Sequence, residues 1–234
     1  MVNLSLPIDP APAVWLQITV VVLWLGFVAL VAEVLDRISG NPEVVRKAVH
    51  IGTGNVILLA WWLQIPAWVG IGASIGFSIV ALISYRFPVL PRLDSVGRKS
   101  LGTFFYAVSI GVLIAWFWAA HPEYAVLGVL IMTWGDGLAA LLGQRWGRHL
   151  YKVWGIQKSW EGSAVMALVS FVVTSAVLVA VQGNSGALWL GSVAVALVAT
   201  GLEAVSTLGI DNLTVPIGSA AIAFWLTLWL DGVG

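Results

Sequence analysis

Long apolar runs separated by short polar stretches occupy most of the chain. A helix needs about 20 mostly apolar residues to cross a bilayer. The runs predict about eight transmembrane helices, over 14–34, 50–64, 67–85, 102–119, 124–142, 162–182, 187–205 and 214–230. The second run is short and only Pro66 separates it from the third, so one re-entrant hairpin there, giving seven spans, is the alternative. The predicted class is an all-α, polytopic membrane protein.

The positions of the basic residues predict how these helices are oriented. All eleven Lys and Arg residues lie in the loops that follow the first, third and fifth predicted spans. Because Lys and Arg concentrate in cytoplasmic loops, this alternation favours eight spans with both termini outside. Tryptophans near the opposite ends of the spans are typical of an interfacial aromatic belt.

Composition narrows the class of protein further. The chain is 60% hydrophobic and 9% charged, whereas soluble domains carry about 25% charged residues. A net charge of zero gives no general attraction to nucleic acid, and the lack of cysteine excludes disulfides and thiolate metal sites. We therefore expect a single integral membrane domain over 1–234.

One carboxylate, Asp136, lies near the inner end of the fifth predicted span. A charge at that depth costs a few kcal/mol or more, which makes it a functional candidate by default. The alternative is a structural partner for an Arg or a hydroxyl. Small residues recur around it every four positions, at Gly135, Ala139, Gly143 and Gly147. Such a stripe usually lets two helices pack closely, while Gly135 and Gly137 would leave the carboxylate open to a ligand.

Two further segments carry an Arg-Lys pair before a predicted span. Arg46 and Lys47 precede the second span, with His50 one helical turn after Arg46, and Arg98 and Lys99 precede Ser100 and the fourth span. Helix N-termini favour anions such as phosphate, and added basic side chains strengthen that preference. The alternative is ordinary cytoplasmic charge in contact with lipid head groups.

The remaining polar residues cluster on the same predicted side of the membrane. They are Lys158, Ser159, Glu161, Glu203, Asp211 and Asn212. Carboxylates bind Mg²⁺ through oxygen, usually together with phosphates, and phosphoryl transfer depends mainly on positioning and charge neutralisation. These residues suit a nucleoside triphosphate that meets a lipid at the cytoplasmic interface, although no Walker A or protein-kinase motif is present. Helix capping is the alternative for Ser159, Glu161 and Asp211.

The motifs RKAVH, RKSLGT, GDGLAALLG, KSWEGS and DNLTVP, over about 44–218, resemble the membrane-bound polyprenol, phytol and diacylglycerol kinase family. The resemblance implies CTP as phosphoryl donor, Mg²⁺ as cofactor and an isoprenoid alcohol such as phytol as acceptor, in a bacterial inner membrane or a thylakoid membrane. The distribution of basic residues places the active site on the cytoplasmic side. The resemblance also implies the catalytic residues Asp136 and Lys158. The general base is open: His50 is a candidate because its charge can change near neutral pH, and a carboxylate is equally possible. The implied phosphate-binding residues are Arg46, Lys47, Arg98, Lys99, Ser100, Gly135, Gly137, Gly143 and Ser159. The implied metal ligands are Asp136, Glu161, Glu203, Asp211 and Asn212.

Three other functions are compatible with the same residues. Within the resemblance, a dolichol, polyprenol or diacylglycerol kinase would differ only in the alcohol. The GDG and KSWEGS motifs also resemble the C-terminal signature of CDP-diacylglycerol synthase, which implies a cytidylyltransferase. An ion-coupled transporter would use Asp136 and Glu203 as a relay, but its polar sites would lie near the midplane rather than at one side.

Overall fold

A computed structural model of the chain describes residues 7–8, 10–85 and 101–233, and these residues are mainly helical. The first half contains α1 (Val14–Ser39), α2 (Pro42–Gly54), α3 (Val56–Trp62), α4 (Ala67–Ser84) and α5 (Gly102–Phe117). The second half contains α6 (Pro122–Leu130), a π-helical segment (Ile131–Asp136), α7 (Gly137–Trp146), strands β1 (Leu150–Val153) and β2 (Ile156–Ser159), α8 (Trp160–Gln182), α9 (Gly186–Val205) and α10 (Asp211–Val233). The predicted phosphate-binding residues Arg98, Lys99 and Ser100 lie outside the described residues.

The all-α polytopic class is confirmed, but the count of eight spans is not. Six helical stretches of the described residues are long and apolar enough to cross a membrane. They are Val14–Ser39, Ala67–Ser84, Pro122–Trp146, Trp160–Gln182, Gly186–Val205 and Asp211–Trp229. The apolar helix α5 is shorter. The predicted span over 50–64 consists instead of parts of two short helices, α2 and α3, which meet at Asn55.

Helix α2 begins well before the apolar run because its start is capped. The Asn41 side chain accepts a hydrogen bond from the Glu43 N–H at 3.0 Å, and Pro42 occupies the first helical position. Both features favour a helix start. As a result Arg46, Lys47 and His50 all lie within α2, on helical turns rather than in a loop.

The continuous stretch α6, π segment and α7 forms the centre of the molecule. Helix α6 packs against α5, α8 and α10, and α7 packs against α2 and α8. Every residue of α6 from Glu123 to Leu130 is buried, so it is surrounded by protein rather than lipid. The π segment ends at Asp136. Single π turns within helices are frequent at functional sites.

The predicted loop over 143–161 contains a β-hairpin. Strands β1 and β2 are antiparallel, with Tyr151 opposite Lys158. Trp154 (φ 52°) and Gly155 (φ 80°) form the two-residue turn, a conformation typical of tight hairpins. The Tyr151 hydroxyl lies 2.6 Å from Ser163 Oγ on α8, so the hairpin is fixed to the helix that follows it and holds Lys158 in place.

Candidate active site

One large cavity of about 1150 Å³ connects most of the predicted site residues. It exceeds the roughly 300–1,000 Å³ of common small-molecule pockets. Its polar half includes Arg46, Lys47, His50, Asp136, Gly143, Lys158, Ser159, Glu203, Asp211 and Asn212. Its apolar half is lined by side chains of α1, α3, α4 and α5. A cavity with one charged and one apolar half suits an amphipathic ligand.

Lys47 and Asp136, which both line this cavity, form a buried ion pair. Lys47 Nζ lies 2.5 Å from Asp136 Oδ2, and the two side chains are only 4% and 14% exposed. Removing one partner of such a pair leaves the other charge uncompensated, at a cost of about 3–5 kcal/mol. Asp136 therefore does have a buried structural partner, as its alternative interpretation predicts, but this partner is a lysine rather than an arginine or a hydroxyl.

His50 lies next to this pair and is held by residues that the sequence did not single out. Its Nε2 lies 3.4 Å from the Met132 carbonyl oxygen and 3.6 Å from Asp136 Oδ2. Both oxygens accept hydrogen bonds, so the histidine tautomer with its hydrogen on Nε2 fits this position best. The Tyr106 hydroxyl donates to the His50 carbonyl at 3.0 Å, and the two rings lie 4.6 Å apart. The sequence feature that could have indicated Tyr106 is a tyrosine within an apolar run, because a buried tyrosine hydroxyl needs a hydrogen-bond partner.

Lys158 forms a second ion pair in the polar half of the cavity. Its Nζ lies 2.6 Å from Glu203 Oε1 and also donates to the Glu203 backbone carbonyl. Both side chains are largely buried. The pair joins the end of β2 to the last turn of α9, so two segments far apart in sequence are fixed at one side of the cavity.

Gly143 and the KSWEGS motif bring α7 and α8 into direct contact. A Cβ on Gly143 would lie 3.1 Å from Gly162 Cα, so α7 and α8 touch at two glycines. The Ser159 hydroxyl accepts a hydrogen bond from the Gly162 N–H at 3.1 Å and caps α8. The capping alternative is thus confirmed for Ser159, whose side chain also faces the cavity.

Asp211 and Asn212, at the start of α10, line the same cavity. Asn212 Nδ2 donates to the Gly102 carbonyl at 3.1 Å, whereas its Oδ1 is buried without a hydrogen-bond partner among the described residues. Asp211 Oδ1 accepts a hydrogen bond from the neighbouring Asn212 N–H, at 3.0 Å. An orphaned buried oxygen beside a carboxylate is a donor set that fits a hard cation such as Mg²⁺.

Arg46 lines the cavity but is already engaged. Its Nε and Nη2 donate to the two carboxylate oxygens of Glu43, at 2.9 and 2.6 Å. This two-point contact within one helix holds the guanidinium at the start of α2, with 35% of its side chain exposed. Arg46 can therefore offer positive charge to the polar half of the cavity, with its orientation set by Glu43.

Three predicted site residues are placed elsewhere. The Glu161 carboxylate lies 2.7 Å from His149 Nδ1, is 30% exposed and is not among the described residues that line the cavity. A Cβ on Gly135 would lie 2.6 Å from Met166 Sδ and one on Gly137 would lie 2.8 Å from Ile51. Both glycines therefore permit close helix packing, which for Gly135 agrees with the prediction for the small-residue stripe. Four of the five predicted metal ligands, Asp136, Glu203, Asp211 and Asn212, line the cavity. No group of three or more His, Cys, Asp or Glu side chains placed to hold a metal ion occurs among the described residues.

Comparison with known proteins yields clear relatives. A phytol kinase from Synechocystis sp. is 52% identical over 219 residues, which cover 92% of this chain and 94% of the relative. A probable chloroplastic phytol kinase from Triticum aestivum is 30% identical, covering 82% and 70%. CTP-dependent diacylglycerol kinase 1 from Schizosaccharomyces pombe is 28% identical over 140 residues, covering 53% and 62%. No family model and no solved structure matches the chain.

The apolar helices, the amphipathic cavity and these relatives define a membrane-bound lipid kinase, a transferase that phosphorylates an alcohol. The chain belongs to the phytol kinase family. The family resemblance inferred from the sequence motifs is thereby confirmed. The individual roles of the site residues stay predictions.

Proposed function

We propose that this protein transfers the γ-phosphoryl group of CTP to the hydroxyl of phytol. The observation that carries the proposal is the position of the Lys47–Asp136 pair, where the polar half of the cavity meets the apolar half. Along α2 and α3 the cavity lining changes from Arg46 and Lys47 to Ile57 and Ala60. A long-chain alcohol would place its hydroxyl at the charged pair and its tail in the apolar half. The names of the relatives support phytol as acceptor and CTP as donor.

In this reaction the alcohol oxygen forms a bond to the γ-phosphorus, and the bond from that phosphorus to the bridging oxygen breaks. The products are phytyl phosphate and CDP, and the hydroxyl proton is released. Such transfers rely mainly on positioning and on neutralising the phosphate charges. Arg46, Lys47 and Lys158, which all line the cavity, support a role in neutralising these charges.

In this reaction Asp136, rather than His50, accepts the proton of the substrate hydroxyl. The Asp136 carboxylate is ionised by its contact with Lys47, 2.5 Å away, and can accept a hydrogen bond from the alcohol. The His50 Nε2 faces two acceptor oxygens and carries hydrogen, so it is suited to donate and to fix the carboxylate. His50 is then a positioning residue whose backbone is held by Tyr106.

The nucleotide would occupy the polar half, beside Lys158 and Arg46. Their positive charges suit the triphosphate, and phosphate oxygens would compete with Glu203 for the Lys158 ammonium. Mg²⁺, when bound, would neutralise phosphate charge. Asp211 and Asn212 Oδ1, which has no hydrogen-bond partner among the described residues, are the oxygens best placed to hold it, since Asp136 is assigned to the hydroxyl proton. The basic loops that follow alternate spans favour a cytoplasmic position for this half.

The test uses the purified protein in lipid with phytol, a long polyprenol or diacylglycerol as acceptor. CTP labelled at the γ-phosphate is compared with CTP labelled at the α-phosphate. We expect γ-label on phytol and none from the α-position. Label passing from the α-phosphate to a lipid phosphate would instead identify a cytidylyltransferase. Absence of any transfer, with alcohol counterflow into proteoliposomes, would favour a transporter and overturn the proposal.

A further inference from the structure

We infer that the closed end of the apolar half, formed by Ala60, Ile65 and Ile114, contacts the last isoprene unit of the substrate and selects the length of its tail. The inference rests on the proposed function, because it requires the alcohol hydroxyl at Asp136. It concerns residues that lie far from the reacting atoms and act only on specificity.

The depth of the apolar half matches a tail of limited length. His50 and Ala60 both line the cavity and are ten residues apart along α2 and α3. At about 1.5 Å per helical residue this corresponds to roughly 15 Å. One leaflet of the hydrocarbon core, half of about 30 Å, has the same depth. A tail about as long as a lipid acyl chain, such as four isoprene units, would therefore reach the closed end.

The closed end is apolar, buried and held by hydrogen bonds. Ala60, Ile65 and Ile114 are 8%, 6% and 5% exposed. Trp118 Nε1 donates to the Ile65 carbonyl at 2.9 Å, and Gln17 Nε2 donates to the Leu63 carbonyl at 2.8 Å. These bonds fix the turn between α3 and α4 to α5 and α1 in an apolar environment, where breaking them is costly. A wall held in this way can discriminate between tails that differ by one isoprene unit.

The apolar half offers a lipid alcohol a path of entry between α1 and α4. Helix α1 packs against α2 and α3, whereas α4 packs against α5. Side chains of α1 and α4 line the cavity and are also exposed, as shown by Val22 at 59% and Phe77 at 40%. The tail can therefore enter from the bilayer between α1 and α4 without crossing the charged half.

The test compares prenyl alcohols of three, four and five isoprene units as acceptors. Ala60→Phe fills the closed end and should lower kcat/KM for the four-unit alcohol about ten-fold or more, while the three-unit alcohol is little affected. Ile114 packs closely against Gly70, since a Cβ on Gly70 would lie 2.7 Å from Ile114 Cδ1. Ile114→Ala should therefore open space at the closed end. This variant should raise the relative activity on the five-unit alcohol, a gain that misfolding cannot produce.

Ile79→Ala is the matched control, because Ile79 lies on α4, is 52% exposed and is not among the described residues that line the cavity. It should leave the preference among the three alcohols unchanged. Equal preferences in the native protein, Ala60→Phe and Ile114→Ala would overturn the inference. If the native protein phosphorylates none of these alcohols, the proposed function itself fails, so the two failures are distinguishable.

Discussion

Lys47 on α2 and Asp136 at the end of the π segment form an ion pair at 2.5 Å although 89 positions separate them in the chain. The pair joins two signature motifs, RKAVH and GDGLAALLG, into one site. It lies in the cavity next to His50, the second ion pair of Lys158 and Glu203, and the oxygens of Asp211 and Asn212.

Replacing Asp136 with Asn should abolish phosphoryl transfer, because the carboxylate that accepts the hydroxyl proton is lost. Loss of a general base lowers the rate by about 10²–10⁴-fold. Asp36→Asn, an exposed position at the end of α1, is the control and should keep normal activity. Near-normal turnover by Asp136→Asn, measured with γ-labelled CTP, would contradict the central assignment.

The same pair predicts a separation between stability and activity. Asp136→Asn alone leaves Lys47 buried without its counter-charge, which should destabilise the fold by about 3–5 kcal/mol. The double variant Lys47→Met, Asp136→Leu removes both charges and should recover most of this loss while staying inactive. Thermal unfolding in detergent, measured beside the activity assay, would show whether stability and activity separate in this way.

His50→Gln should keep activity within about ten-fold, since the amide can still donate a hydrogen bond to Asp136. His50→Leu, which cannot donate, should lose considerably more. If His50 accepted the substrate proton, both variants would be about equally inactive. His149→Gln is the control, because the His149 side chain is 79% exposed and contacts Glu161 away from the cavity.

Lys158→Met should raise the KM for CTP about ten-fold or more, since a hydrogen bond to a charged group contributes about 1.5–3 kcal/mol. Lys152→Met is the matched control, because Lys152 lies on the other strand of the same hairpin and is exposed. Steady-state kinetics with varied CTP would decide. Equal KM values for the two variants would remove Lys158 from the nucleotide site.

Asp211→Asn should raise the Mg²⁺ concentration needed for half-maximal activity, at least about ten-fold, since Mg²⁺ is held through only one or two carboxylates. Glu161→Gln should leave that concentration nearly unchanged, because its carboxylate pairs with His149 outside the cavity. Titration of both variants with Mg²⁺ measures the difference. If Glu161→Gln raised this Mg²⁺ concentration more than Asp211→Asn did, Glu161 rather than Asp211 would be the metal ligand.

Gly54→Ala should destabilise the protein by about 1–3 kcal/mol and lower its activity, since overpacking forces the backbone to move. A Cβ there would collide with Thr133 in the π segment and lie 2.7 Å from the Tyr106 hydroxyl. Gly26→Ala, in α1 with open space around it, should be neutral or slightly stabilising. Thermal unfolding of both variants tests whether α2 must lie this close to the π segment.

The sequence by itself determined that this chain is a polytopic helical membrane protein, and it selected Asp136, Lys47, Lys158 and His50 as candidates. These results follow from hydropathy, from charge alternation and from the energetic cost of a carboxylate in an apolar run, which are local properties. The family motifs extended them to a lipid kinase, as the relatives confirm.

Only the tertiary structure decided which of these side chains meet. The Lys47–Asp136 and Lys158–Glu203 pairs, the support of His50 by Tyr106 and the exclusion of Glu161 from the cavity depend on helix packing across distant segments. Local pattern cannot report such contacts, because a carboxylate near a helix end looks the same in sequence whether it faces a cavity, as Asp211 does, or an exposed histidine, as Glu161 does.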